Sequence, residues 1–95
     1  MNEDAEMPLN SGDILTRVTK YNLIRSERML YIDVHEALAG KLAGKFVAVP
    51  NLINIVAVQA YQGTGETEKE ALRDCLEKIR DVAFEAIFPQ RENLD

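Results

Sequence analysis

One short stretch carries the residues best equipped for acid–base chemistry. In residues 29–36, MLYIDVHE, Tyr31, Asp33 and His35 stand at alternate positions, so on a strand all three project from one face. A carboxylate beside an imidazole can fix its tautomer and orient it as a general base. His35 is the only histidine, however, and no serine or cysteine is placed by the sequence to serve as its nucleophile. A structural or solvated His35 is therefore the expectation. Cys75 is the only cysteine, which excludes an intramolecular disulfide. Its place among apolar helical positions predicts a buried, inert thiol. One histidine, one cysteine and scattered carboxylates show no metal-ligand spacing. The sequence predicts no catalytic residue, no cofactor and no metal.

A second motif, GTGET at residues 63–67, lies between a strand pattern and a helix start. Glycine amides and the positive end of a helix attract anions there. The motif lacks the P-loop lysine and the dinucleotide fingerprint, and Glu66, Glu68 and Glu70 would repel a phosphate at close range. A tight turn is the simpler reading. Eleven Lys and Arg against sixteen Asp and Glu give a net charge of −5, which opposes nucleic acid and anionic membrane. The middle of the chain is locally basic. Arg17, Lys20, Arg25, Arg28, Lys41 and Lys45 form a candidate basic patch, but six bases spread over about thirty residues with no aromatic pattern that suggests base stacking are expected to be a solvated face.

The elements that must carry these residues follow from patterning. Ninety-five residues with 46% apolar content suit one domain with one core. Residues 1–10 are acidic, lack periodicity and contain Pro8; they and residues 90–95 are expected as disordered tails around a domain at 11–89. The start is acidic where a signal peptide would be basic and then apolar, so a soluble, cytoplasmic protein with no membrane association is expected. Residues 14–25, ILTRVTKYNLIR, fit a helical stripe through Ile14, Leu15, Val18 and Tyr21. They also fit a strand through their β-branched residues, towards which the reading leans. Residues 29–36 alternate as a half-buried strand and pair, across the repeated AGK of 37–45, with a short run ended by Pro50. Residues 55–61, IVAVQAY, read as the last strand.

A helix over 67–88 is the firmest expectation. Thr67 and Glu70 make a capping box, and Glu66, Glu68 and Glu70 suit the positive end of the helix dipole. Apolar residues from Ala71 to Ile87 recur at three- and four-residue steps, and Pro89 stops the helix. The fold class is therefore α+β: an antiparallel sheet of three to four strands covered on one face by one long C-terminal helix. On such a helix Phe84 and Phe88 sit about 120 to 160° from the centre of the apolar stripe. Either the N-terminal segment or a second subunit must cover them; as a candidate interface beside free sheet edges they favour a homodimer.

The order of signals resembles the HicB-like antitoxin superfamily, on GKFVAVPNL (residues 44–52) and GETEKEAL (residues 65–72). The resemblance covers about half of the chain. It implies a partial double-stranded-RNA-binding-domain-like fold and a non-enzymatic role against a toxin or nuclease partner. The RNA-binding relatives start this helix with lysines, whereas here only Lys69 and Arg73 stand among Glu66, Glu68, Glu70 and Asp74. The resulting expectation is a homodimeric protein-interaction domain whose acidic helix meets a protein partner with a basic surface. Two alternatives stand beside it: nucleic-acid binding through the basic residues of 17–45, and a small-ligand or enzyme role around Tyr31, Asp33 and His35.

Overall fold

The β-branched residues decide the ambiguous segment: it is a strand. In a computed structural model, which describes residues 8–40, 43–52, 57 and 59–88, β1 (Leu15–Arg25) runs antiparallel to β2 (Arg28–Ala39). The two-residue turn between them places Ser26 and Glu27 at φ 52° and 67°. Two positive φ values in a two-residue loop are the type I′ pattern, whose twist matches that of the flanking strands. β2 then pairs antiparallel with β3 (Phe46–Asn51), with Tyr31 opposite Asn51 and Glu36 opposite Phe46. The expected hairpin is present, with β2 extended through Ala39. The turn is tied by the Gly44 amide donating to the Ala37 carbonyl at 2.9 Å.

The fourth strand is not the one expected. β4 is Gly63–Gly65, pairing with Phe46–Ala48 of β3, and the sheet order is β1-β2-β3-β4. Of the expected strand at 55–61, residues 55, 56 and 58 lie outside the described residues, and Gln59–Tyr61 form a 3₁₀ turn. Glycines weaken a strand when nothing approaches it, but here α1 (Glu68–Ile79) does. A Cβ on Gly63 would stand 2.3 Å from the Cys75 amide nitrogen, and one on Gly65 would stand 2.7 Å from that of Ala71. Pro50 lies beyond the β3–β4 ladder, where its missing N–H breaks no pairing.

α1 begins as the sequence predicts, with Thr67 Oγ1 accepting from the Glu70 amide at 3.1 Å. The Glu70 carboxylate accepts from the amide of Glu66 at 2.9 Å, one residue before the partner that a capping box would use. Its contacts with the sheet fall mainly on β4 and β3, fewer on β2. Ala71, Cys75 and Ile79 join Leu30, Ile32 and Val34 of β2 and Ala48 of β3 in one apolar cluster.

The single helix over 67–88 is corrected to two. α1 ends at Ile79, Asp81 adopts φ 62°, and a short α2 (Phe84–Ile87) follows. The Arg25 guanidinium donates to the carbonyls of Ile79 and Val82, both at 3.0 Å, tying the last turn of α1 and the residues after it to β1. The break has a driving force. A continuous helix would have turned Phe84 and Phe88 away from the core, and burying such side chains stabilises by about 1.5–3 kcal/mol each. A non-glycine residue in the left-handed region costs only about 1–2 kcal/mol. Phe84 and Phe88 are accordingly buried in the core cluster with Ile87, their ring centroids 6.2 Å apart. The expectation that these rings stand off the helix stripe and need the N-terminal segment or a second subunit to cover them is corrected with it, since both lie in the chain's own core.

The tails expected at 1–10 and 90–95 fall mostly outside the described residues, which begin at Pro8 and end at Phe88. Among the described residues no helix is long and apolar enough to cross a membrane.

Candidate functional site

Antiparallel register sorts the side chains of the sheet into two faces. Leu30, Ile32 and Val34 of β2 point to the core. Tyr31, Asp33 and His35 point the other way, opposite Asn22, Lys20 and Val18 of β1 and Asn51, Val49 and Val47 of β3. The face predicted for the acid–base residues is thus assembled as expected, but its partners differ. Asp33 accepts from Lys20 Nζ at 2.8 Å through one oxygen and from Asn51 Nδ2 at 2.8 Å through the other. Burial alone would raise its pKa; the hydrogen bonds from Lys20 and Asn51 outweigh it and hold the carboxyl below its ordinary value. Lys20 also lies over the Tyr31 ring, 4.5 Å from its centroid. His35 Nδ1 bonds Thr16 Oγ1 at 3.0 Å instead of Asp33. Asp33 is spoken for at both oxygens, and this cluster reads as a polar clamp across three strands.

The glycine motif and the helix start bind the chain's own acids. The Thr64 amide donates to Asp74 Oδ2 at 3.0 Å, and this bond, with Lys78, lowers the Asp74 pKa. With the Glu66 amide given to Glu70 and the Glu70 amide given to Thr67, these donors are already engaged by the fold. Cys75 is fully buried, and burial pushes its thiol up to about 11, the opposite of what a nucleophile needs. Among the described residues no group of three or more His, Cys, Asp and Glu could hold a metal.

Among the described residues the candidate basic patch is dispersed. Arg17 pairs with Glu36, Lys20 with Asp33, Arg28 with Glu85 and Lys45 with Glu66, at 2.7 to 3.8 Å, while Arg25 caps α1. Register puts Arg17 and Lys20 on opposite faces of β1, and Lys41 lies outside the described residues. The acids of α1 and of the residues before it are likewise partly neutralised, with Glu66 held by Lys45 and Asp74 by Lys78.

Two surface features remain, and sequence reading missed the second. β1 is an edge strand of eleven residues, and beside its length Val18 is 47% and Ile24 70% exposed. Next to it, the offset of α1 towards β4 and β3 leaves a groove of about 440 Å³ along the outer side of the helix. Leu72 and Leu76 floor it, with Arg25, Lys69, Arg73 and Arg80 around them. A hollow of about 420 Å³ continues it through Lys69 and Leu72 to Tyr21 and Glu68, where the Tyr21 hydroxyl donates to Glu68. The available signal was the spacing of Lys69, Arg73 and Arg80 beside Leu72 and Leu76, which on a helix share one flank. Family models, curated proteins and solved structures were all compared with the chain, and none matches it.

Proposed function

We propose that the chain is a non-enzymatic protein-interaction domain that works as a homodimer, two copies joining edge to edge through β1. The observation that carries this reading is the edge itself. Among the described residues no strand pairs with the outer side of this eleven-residue strand, and such an edge invites another strand. Proteins usually guard such an edge with outward charge. Here the cations of β1 each have a partner within the chain: Arg17 with Glu36, Lys20 with Asp33 and Arg25 with the end of α1. Exposed Val18 and Ile24 lie beside the open edge.

A two-fold axis through Thr19 sets Leu15 against Leu23 and Val18 against Lys20 of the other copy, with no like charges opposed. An axis through Lys20 sets that lysine against itself, and one through Tyr21 sets Arg17 against Arg25, both unfavourable. The HicB-like resemblance belongs to the same proposal. GKFVAVPNL spans β3 and GETEKEAL runs from β4 into α1, so the order strand, strand, strand, helix accommodates both motifs. A cytoplasmic setting is part of this reading and suits the single thiol.

Sedimentation at micromolar to high micromolar concentration tests the dimer. The wild type is expected to sediment as a dimer and Val18→Lys as a folded monomer, because a lysine there meets Lys20 of the other copy about Thr19, or itself about Val18. A wild type that stays monomeric at the highest concentration removes this reading.

A further inference from the structure

We propose that the groove between β1 and α1 is a docking site for an acidic, amphipathic helix of a partner protein. The inference rests on the protein-interaction reading above and sets an acidic partner at this groove in place of the expected partner with a basic surface. Its basis is a division among the cations. Of the nine described lysines and arginines, five pair with a carboxylate: Arg17, Lys20, Arg28, Lys45 and Lys78. The other four are Arg25, Lys69, Arg73 and Arg80, and all four border this one groove. Among the described residues none of the four has a carboxylate at ion-pair distance. In a chain of net charge −5, four cations with no acid partner among the described residues gathered at one groove make a local positive field that favours an acidic partner.

The shape selects among anionic partners. The floor is Leu72 and Leu76, so the occupant must bring apolar side chains as well as acids. The two hollows share Lys69 and Leu72 and are lined by residues from Glu68 at the start of α1 to its C-cap Arg80, about 18 Å at 1.5 Å per residue, which is the length of a helix of about three turns. Glu77 and Glu68 stand among the lining residues. Those two carboxylates, with the overall negative charge, repel a uniform polyanion such as a nucleic-acid backbone or an anionic bilayer. A peptide helix can set its own acids against Lys69, Arg73 and Arg80 and leave uncharged positions against Glu77.

The test uses the full chain, isotope-labelled, and a synthetic 18-residue peptide with leucines at three- and four-residue spacing flanked by glutamates. A second peptide carries lysines in place of the glutamates. The acidic peptide is expected to bind saturably, with amide shifts centred on Lys69, Leu72, Arg73, Leu76 and Arg80, and the lysine peptide at least tenfold more weakly. The double variant Arg73→Glu/Arg80→Glu, which alters exposed side chains and leaves Arg25 on its cap, is expected to weaken the acidic peptide at least tenfold with the spectrum elsewhere unchanged. Equal binding of the two peptides, shifts centred elsewhere, or an unaffected double variant overturns the proposal. So does a short RNA duplex, or a vesicle containing phosphatidylserine, that binds these residues more tightly than the acidic peptide does. Sedimentation of the same samples separates the two readings: a Val18-dependent dimer without peptide binding removes the groove alone, and peptide binding by a monomer removes the dimer alone.

Discussion

Asp33 is the residue on which the open face of the sheet turns. It is 9% exposed, and both oxygens are bonded, to Lys20 and to Asn51, so it joins β1, β2 and β3 by one carboxylate. Replacing it by Asn keeps the shape and one acceptor but removes the charge. We expect Asp33→Asn to lose about 1–2 kcal/mol at neutral pH, the worth of a charge-assisted hydrogen bond. The pH dependence gives the sign. A carboxyl whose folded pKa lies below its unfolded value of 3.8 adds stability that is present above that value and fades as pH falls through the folded one. Urea midpoints of wild type and variant should therefore differ most near pH 6 and converge as the pH is lowered below 3.8. A gap that stays constant over that range is incompatible with the clamp.

Elements in this chain are shaped by local conflicts that tertiary contacts resolve. The β1–β2 turn uses Ser26 and Glu27 at positive φ, where Asn and Gly are the favoured residues. The double substitution Ser26→Asn/Glu27→Gly is expected to stabilise by about 1 kcal/mol, seen as a higher urea midpoint with an unchanged slope. A lower midpoint shows that the turn has another geometry. The same conflicts explain what could be read in advance. The strand β2 was legible because Leu30, Ile32 and Val34 alternate cleanly with polar residues, and the start of α1 because Thr67 is a cap. β4 was not legible, because its strand character comes from partners: Gly63 and Gly65 are poor strand formers that are needed where α1 packs closest. The end of α1 was hidden for the same reason, since the cap on Ile79 comes from Arg25, far away in sequence. The clamp was half visible. Asp33 and His35 could be placed on one face, but Lys20, Asn51 and Thr16 become their partners only through register.

At the scale of the molecule, the C-terminal segment decides whether the core is closed by the chain itself or by another copy. Phe84 and Phe88 are buried against the cluster that contains Leu30, Ile32 and Ile79. Arg28 covers the Phe84 ring with its guanidinium carbon 4.2 Å from the centroid, so the ring is stacked as well as enclosed. Truncating a buried phenylalanine to alanine removes its transfer free energy and leaves a cavity, about 3–5 kcal/mol together. A domain of this size has a total stability of about 5–10 kcal/mol, so Phe84→Ala removes a large share of it. The expected result is a drop in Tm of more than about 10 °C, the same at low and high protein concentration. If the ring served a dimer interface instead, the variant would keep the stability of the monomer and lose only the concentration dependence of Tm. Buried Phe84 and open β1 thus predict that the two effects separate: Phe84→Ala lowers Tm in the monomeric Val18→Lys background as much as in the wild type, while Val18→Lys changes association and leaves the core intact.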